Sequence, residues 1–183
     1  MPRKLVATTY VTLDGYIDDP GQWSFPFWSE EASQFKYKEL FDSDAQLLGR
    51  ITYEAFAAAW PTMQGTGDFG ERMNAMPKYV ASRTLTTATW NATIIEGDVA
   101  DAVRRLKAED GGDLLLAGSG QLLDYLTAHD LVDEYRLMVH PVVLGGDGSK
   151  RLFATAPRRT LALADSLRLP NGVMVNTYRP ATA

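Results

Sequence analysis

The chain has no cysteine among its 183 residues, which excludes disulfides, thiolate metal sites and cysteine nucleophiles and fits a reducing, cytoplasmic setting. Histidine is nearly as scarce. His129 and His140 have no companions at metal-ligand spacing, so no metal is assigned. Surplus positive charge is also missing: 18 Lys and Arg against 23 Asp and Glu give a net charge of −5. That balance disfavours a broad nucleic-acid or anionic-membrane surface, so neither partner is expected and any anion must be bound locally. Long apolar runs are lacking too. The opening MPRKLVATTYVTLDGYIDD starts basic, but its apolar stretch is short and broken by threonines, so neither a signal peptide nor a membrane span is read there. No repeat, low-complexity tract or linker divides the sequence, and its length suits a single domain over residues 1–183.

What is present is enough apolar material for a sizeable core, at 45% hydrophobic and 22% charged residues. Short apolar or β-branched runs predict strands at 4–11, 45–50, 78–82, 92–96, 113–117 and 133–145. Between them, helices are predicted at 29–41, 51–60, 98–109 and 120–130, with Ser29 and Asp98 placed to cap two of them. Residues 62–77 have glycines and methionines without a period and are read as a loop with room for a short helix. Residues 160–179 alternate around Pro-Asn-Gly and predict a terminal antiparallel hairpin. The expected fold class is therefore α/β, a mixed, mostly parallel sheet closed by a C-terminal antiparallel hairpin. In such sheets ligands bind beyond the C-terminal strand ends.

Three strand exits carry residues suited to an anion. LLLAGSGQLLDYL passes from strand to helix through Gly118, Ser119 and Gly120, where backbone can approach closely and the helix start leaves free N–H groups for a phosphate. A tight turn that merely packs helix on strand is the competing reading, since the third glycine of the dinucleotide fingerprint is missing. LLGRITYE brings Gly49, Arg50 and Thr52 to a second helix start, where Arg50 can fork onto phosphate oxygens or simply pair with a surface carboxylate. VASRTL sets Ser82, Arg83 and Thr84 after a third strand, two hydroxyls around a guanidinium, which suits a phosphomonoester such as the 2′-phosphate of NADPH. Their succession supports one extended polyphosphate ligand over three unrelated turns.

TLDGYID, LLGRITYE, YVASRTL, LLLAGSGQL and HPVVLGG occur in the order seen in the dihydrofolate-reductase-like superfamily. The chain most resembles the reductase domain of the riboflavin-pathway bifunctional deaminase-reductase and its stand-alone relatives, over nearly its whole length. The resemblance implies about eight strands flanked by helices, NADPH as cofactor, and a homodimer. It implies that Gly49, Arg50 and Thr52 lie along the pyrophosphate and adenosine, and that Ser82, Arg83 and Thr84 lie near the 2′-phosphate. Gly118, Ser119, Gly120, Gln121 and Leu122 are then at the pyrophosphate, and Thr9, Tyr10 and Ile17 at the nicotinamide end.

Hydride transfer asks the protein chiefly to hold the nicotinamide against an electrophilic carbon and to let a proton reach the substrate. Asp14 ranks first as donor or orienter, because a desolvated carboxyl can have a raised pKa; an Asp-Gly turn that shapes the loop is the equal alternative. Glu30 and Glu31 stand where folate-reducing relatives keep a pteridine-binding acid, and are equally explained by the helix dipole. Trp23, Phe25, Phe27 and Trp28 can stack on a flat heterocycle or pack internally. In place of an arginine-rich helix for a ribose phosphate, 29–41 offers only Lys36 and Lys38. The expected function is an NADPH-dependent reductase of a small planar heterocyclic or carbonyl substrate. Reduction of the 5-amino-6-(5-phosphoribosylamino)uracil type is the named possibility, with folate reduction below it. A non-catalytic nucleotide-binding module and a purely structural domain are the readings from other classes.

Overall fold

A segment in which almost every side chain is apolar or threonine has no side to show to water, and Leu5–Thr12 forms strand β1, buried on both faces near the middle of the sheet. The computed structural model describes residues 2–181. The other strands are β2 (Ser43–Gly49), β3 (Lys78–Ala81), β4 (Ala92–Ile94), β5 (Asp113–Ala117), β6 (Glu134–His140), β7 (Leu161–Arg168) and β8 (Met174–Pro180). They make one eight-stranded sheet in the order β4-β3-β2-β5-β1-β6-β8-β7. The pairings from β4 through to β6 are parallel, whereas β8 runs antiparallel to both β6 and β7. This is the expected α/β architecture with its terminal hairpin.

Six helices, α1 (Pro20–Trp23), α2 (Glu30–Phe41), α3 (Arg50–Ala59), α4 (Gly67–Ala75), α5 (Val99–Ala108) and α6 (Gly120–Ala128), connect or cover the strands. Alternation along the strands feeds two cores. Leu5, Ala7, Leu114 and Leu116 pack against Val103 of α5 and Leu123 and Leu126 of α6, while Val6 and Leu115 face Leu40 of α2 and Met73 of α4. Each fully buried leucine contributes roughly 1.5–3 kcal/mol. The Ser29 and Asp98 side chains accept backbone N–H bonds from Ala32 and Asp101, the caps expected of them.

Two sequence expectations need correction. The strand predicted to reach residue 145 ends at His140, because Pro141 has no N–H to continue the ladder, and Val143 is 68% exposed. Within 62–77 the chain forms the nine-residue α4 rather than mostly loop. The Lys78 Nζ, buried beside the Trp90 ring at 3.9 Å, donates to the carbonyls of Met73 and Asn74 and so satisfies the end of that helix. Lys78 follows the end of the helix and belongs to the next strand, so this partner leaves no trace in the helix's own periodicity. At the far edge β7 is almost wholly exposed, with a bulge between Leu163 and Asp165.

Candidate functional site

Parallel β1, β2, β3 and β5 all point their C-terminal ends at one edge. β2 and β5 are neighbours, with Leu47 opposite Leu116, and each runs almost directly into a helix. At the junction the Gly49 N–H donates to Ser119 Oγ at 2.9 Å, and that oxygen also lies 3.0 Å from both Thr52 Oγ1 and the Ala117 carbonyl. Gly118 and Ser119 are both left-handed, at φ 55° and 57°, a conformation that costs a non-glycine residue about 1–2 kcal/mol. A side-chain atom at Gly120 would meet Ile17 Cδ1 at 2.6 Å, so Ile17 lies directly on this turn. Neither α3 nor α6 has a side-chain cap on its first-turn amides, leaving two adjacent sets of donors at the same edge.

β3 extends the row, for Ala81 is opposite Gly49. Beyond it the Ser82 hydroxyl accepts the Thr84 and Leu85 amides, closing a turn that leaves Arg83 and Thr84 exposed. Among the described residues Arg83 has no ion pair. Thus Ile17, Gly49, Thr52, Gly118, Ser119 and Gly120 are brought together, with Ser82, Arg83 and Thr84 at the next strand exit. Gln121 is exposed on the first turn of α6, whereas Leu122 is buried in the core and has only its backbone to offer a ligand. Arg50 pairs with Glu54 at 2.9 Å along the outside of α3, the surface pairing that competed with a phosphate role.

On β1, Thr9 is buried, and its Oγ1 has no hydrogen-bond partner among the described residues. Tyr10 points to the opposite face, half-buried against Phe27 and Phe35. Burial, outweighing the neighbouring Lys36 charge, raises its phenol above the usual value.

The carboxyl expectations fare differently. Asp14 accepts from Thr12 Oγ1 at 2.7 Å, Gly145 N at 2.8 Å and Leu144 N at 3.2 Å. The Thr12 hydrogen bond, with those amides, holds it below the ordinary carboxylate value, opposite to the upward shift expected of a proton donor. It behaves as the loop-shaping residue. Asp18 does the same for Ser149 and Lys150, so residues 144–151 are latched onto residues 12–18. Glu30 and Glu31 are exposed in the first turn of α2, where Glu30 accepts a hydrogen bond from Gln34. They fit the helix-dipole explanation.

A charged cluster between α2 and β6 was not anticipated. Lys36 Nζ donates to Thr8 Oγ1 at 2.9 Å and to the carboxylate of Glu39, which is 1% exposed. Arg136 lies 3.5 Å from the other Glu39 oxygen and bonds Glu134, which also holds Arg179. Burial opposes the Lys36 charge, but the attraction of Glu39 and Tyr10 outweighs it and the ammonium is held above its usual value. The signal lay in spacing: Lys36 and Glu39 fall on the stripe of Ala32, Phe35 and Leu40, the inward face of α2. His140, 3% exposed, donates from Nδ1 to the Met138 carbonyl and is ringed by Tyr10, Trp23 and Phe27 at 5.4, 5.1 and 6.0 Å. Burial lowers its pKa.

Two concavities lie elsewhere. One of about 420 Å³ opens at the N-terminal strand edge beside Arg3, Lys4, Arg104 and Lys107, and one of about 270 Å³ lies beside Tyr135, Phe153 and Arg158. In the larger, Arg3, Arg104 and Lys107 already pair with Glu109, Asp101 and Asp133. Among the described residues no group of three His, Asp or Glu side chains is placed to hold a metal, and no helix is long and apolar enough to cross a membrane.

The RibD C-terminal domain model matches residues 3–175. The Bacillus subtilis protein YyaP is 27% identical over 180 residues, covering 96% of this chain and 94% of that one. Among solved structures, a protein named for riboflavin biosynthesis from Shewanella sp. PV-4 superposes with a TM-score of 0.78 at 19% identity, covering both chains fully. Acinetobacter baumannii RibD gives a TM-score of 0.68 at 15% identity, covering 99% of this chain and 59% of that longer one.

Proposed function

The chain belongs to the RibD C-terminal domain family, and on that premise we propose that it is a reductase that binds NADPH and reduces a small planar heterocyclic or carbonyl substrate. The observation that carries the reading is the junction at Gly49 and Ser119, where two uncapped helix starts meet, with the exposed Arg83, without an ion pair among the described residues, at the next strand exit. One phosphorylated dinucleotide can span such a row, with its pyrophosphate at the amides of α3 and α6 and its 2′-phosphate at Ser82, Arg83 and Thr84. Gly120 and the Ile17 side chain that lies on it fit the role of a close-packed wall for the nicotinamide half. Bound there, the cofactor would supply hydride, while the protein supplies position and a proton path. Reduction of a ribitylated or phosphoribosylated pyrimidine is the named substrate possibility. A homodimer in the cytoplasm is proposed with it, with the exposed apolar residues Leu163 and Leu167 of β7 as a contact surface.

Fluorescence titration with NADPH tests the assignment. The wild type should bind in the micromolar range, prefer NADPH to NADH, and lose at least tenfold in affinity, with the preference, on Arg83→Ala. Absence of binding, or an Arg83→Ala variant that binds as well as wild type, would remove the cofactor. Light scattering reads the oligomeric state.

A further inference from the structure

The reduction consumes a proton as well as a hydride, and none of the carboxyls near the crevice is poised to deliver one. Asp14 is held ionised by three donors, and Glu30 and Glu31 are out in solvent. Tyr10 is placed differently. It lies on β1 two residues before the strand end, on the face that carries Thr8, Arg136 and His140, since Thr8 is opposite Arg136 and Thr12 opposite His140. Its ring is packed by Phe27 and Phe35 yet keeps part of its surface, and among the described residues its hydroxyl makes no hydrogen bond. Lys36 Nζ stands 5.5 Å from the ring centroid, anchored by Thr8 and Glu39.

We propose that the Tyr10 hydroxyl is the proton donor to the substrate in this reduction, with the Lys36 ammonium beside it stabilising the phenolate that remains. The proposal rests on the reductase reading. As hydride adds to the electrophilic carbon, the C=O or C=N π pair moves onto the heteroatom, which takes the proton from Tyr10 Oη. NADPH is oxidised by two electrons, the substrate gains hydride and proton, and water reprotonates the phenolate. An alkoxide or amide anion is a far stronger base than a phenolate, so the transfer runs downhill even from a phenol whose burial raises its pKa. The charges facing Tyr10 are Lys36 and Glu39 from α2 and, on β6, the neutral ring of His140, with Arg136 behind Glu39. Lys36 is a positioning residue, and Glu39 keeps it charged in a site that would otherwise neutralise it.

The test combines kinetics with a titration that needs neither cofactor nor substrate. Tyr10→Phe preserves the ring packing, so it should bind NADPH within twofold of wild type while kcat falls at least a hundredfold. The acceptors are a panel of pterins, pyrimidines and quinones. Ultraviolet difference titration against Tyr10→Phe isolates the ionisation of Tyr10. It should move to higher pH in Lys36→Met and return in Lys36→Arg. Turnover of Tyr10→Phe within threefold of wild type, or a Tyr10 titration indifferent to Lys36→Met, overturns the proposal and leaves the reductase reading standing. Wild type that binds NADPH but oxidises it with none of the panel favours a non-catalytic nucleotide binder and overturns the proposal. Wild type that does not bind NADPH removes the reading beneath it.

Discussion

The Gly49 amide and the Ser119 hydroxyl are joined at 2.9 Å across 70 residues of sequence, which ties the exit of β2 to the turn between β5 and α6. Ser119 holds this bond while sitting in a left-handed conformation, so stability and site geometry are set against each other at one residue. Ser119→Ala loses the bond and keeps the backbone cost, with an expected loss of about 1 kcal/mol. Ser119→Gly loses the same bond but relieves the cost, so it should melt above Ser119→Ala. Both should bind NADPH several-fold more weakly. Thermal denaturation and fluorescence titration of the pair check the order.

Gly120 tests the wall beneath Ile17. An added methyl at 120 falls 2.6 Å from the flexible end of the Ile17 side chain, which must rotate away. Gly120→Ala should therefore fold, with NADPH affinity reduced about tenfold. Ile17→Val removes the colliding carbon, and the double variant should recover most of the lost affinity. Independent, additive effects would show that the two residues do not share one surface.

Asp14 separates latch from catalyst. In Asp14→Asn the Thr12, Leu144 and Gly145 donors lose a charged acceptor, so residues 144–151 should exchange amide hydrogens faster, most of all at Gly145. The kcat should stay within a few-fold of wild type. A fall of a hundredfold with unchanged exchange would return the proton-donor role to Asp14.

Lys78 gives the fold a pH signature. Burial takes its ammonium down to about 8 from the usual 10.5. The native state therefore gives up this proton before the unfolded chain does. Between about pH 8 and 10.5 the unfolded state holds more protons, and stability contributed by this group rises with pH; below 8 the cost of the buried charge is fully present. Urea unfolding followed from pH 7 to 10 should show that rise in wild type relative to Lys78→Met, whatever the variant's absolute stability. Parallel curves would refute it.

The strands and the glycine turns were legible because their causes are local. DLLLA is apolar on both faces, and β5 occupies Asp113–Ala117 as expected. Gly118 and Gly120 announce a tight strand-to-helix turn wherever the chain goes next. The five ordered motifs carried the family, which the match over residues 3–175 bears out. What escaped the sequence depends on partners far along the chain. Asp14 is held below the ordinary carboxylate value by Thr12 together with the Leu144 and Gly145 amides, about 130 residues away, and the Lys36–Glu39 pair is buried where Thr8 of β1 and Arg136 of β6 meet it. The spacing of Lys36 and Glu39 from Ala32, Phe35 and Leu40 carried a signal that went unread, and nothing in it says that Arg136 meets them there.

β1 precedes both of its neighbours in the chain, for β5 and β6 come from residues 113–117 and 134–140. During synthesis it must wait with both hydrogen-bonding edges bare until more than a hundred further residues have emerged. That wait leaves β1 open to mispairing, and Tyr10 enters its final surroundings only when it ends.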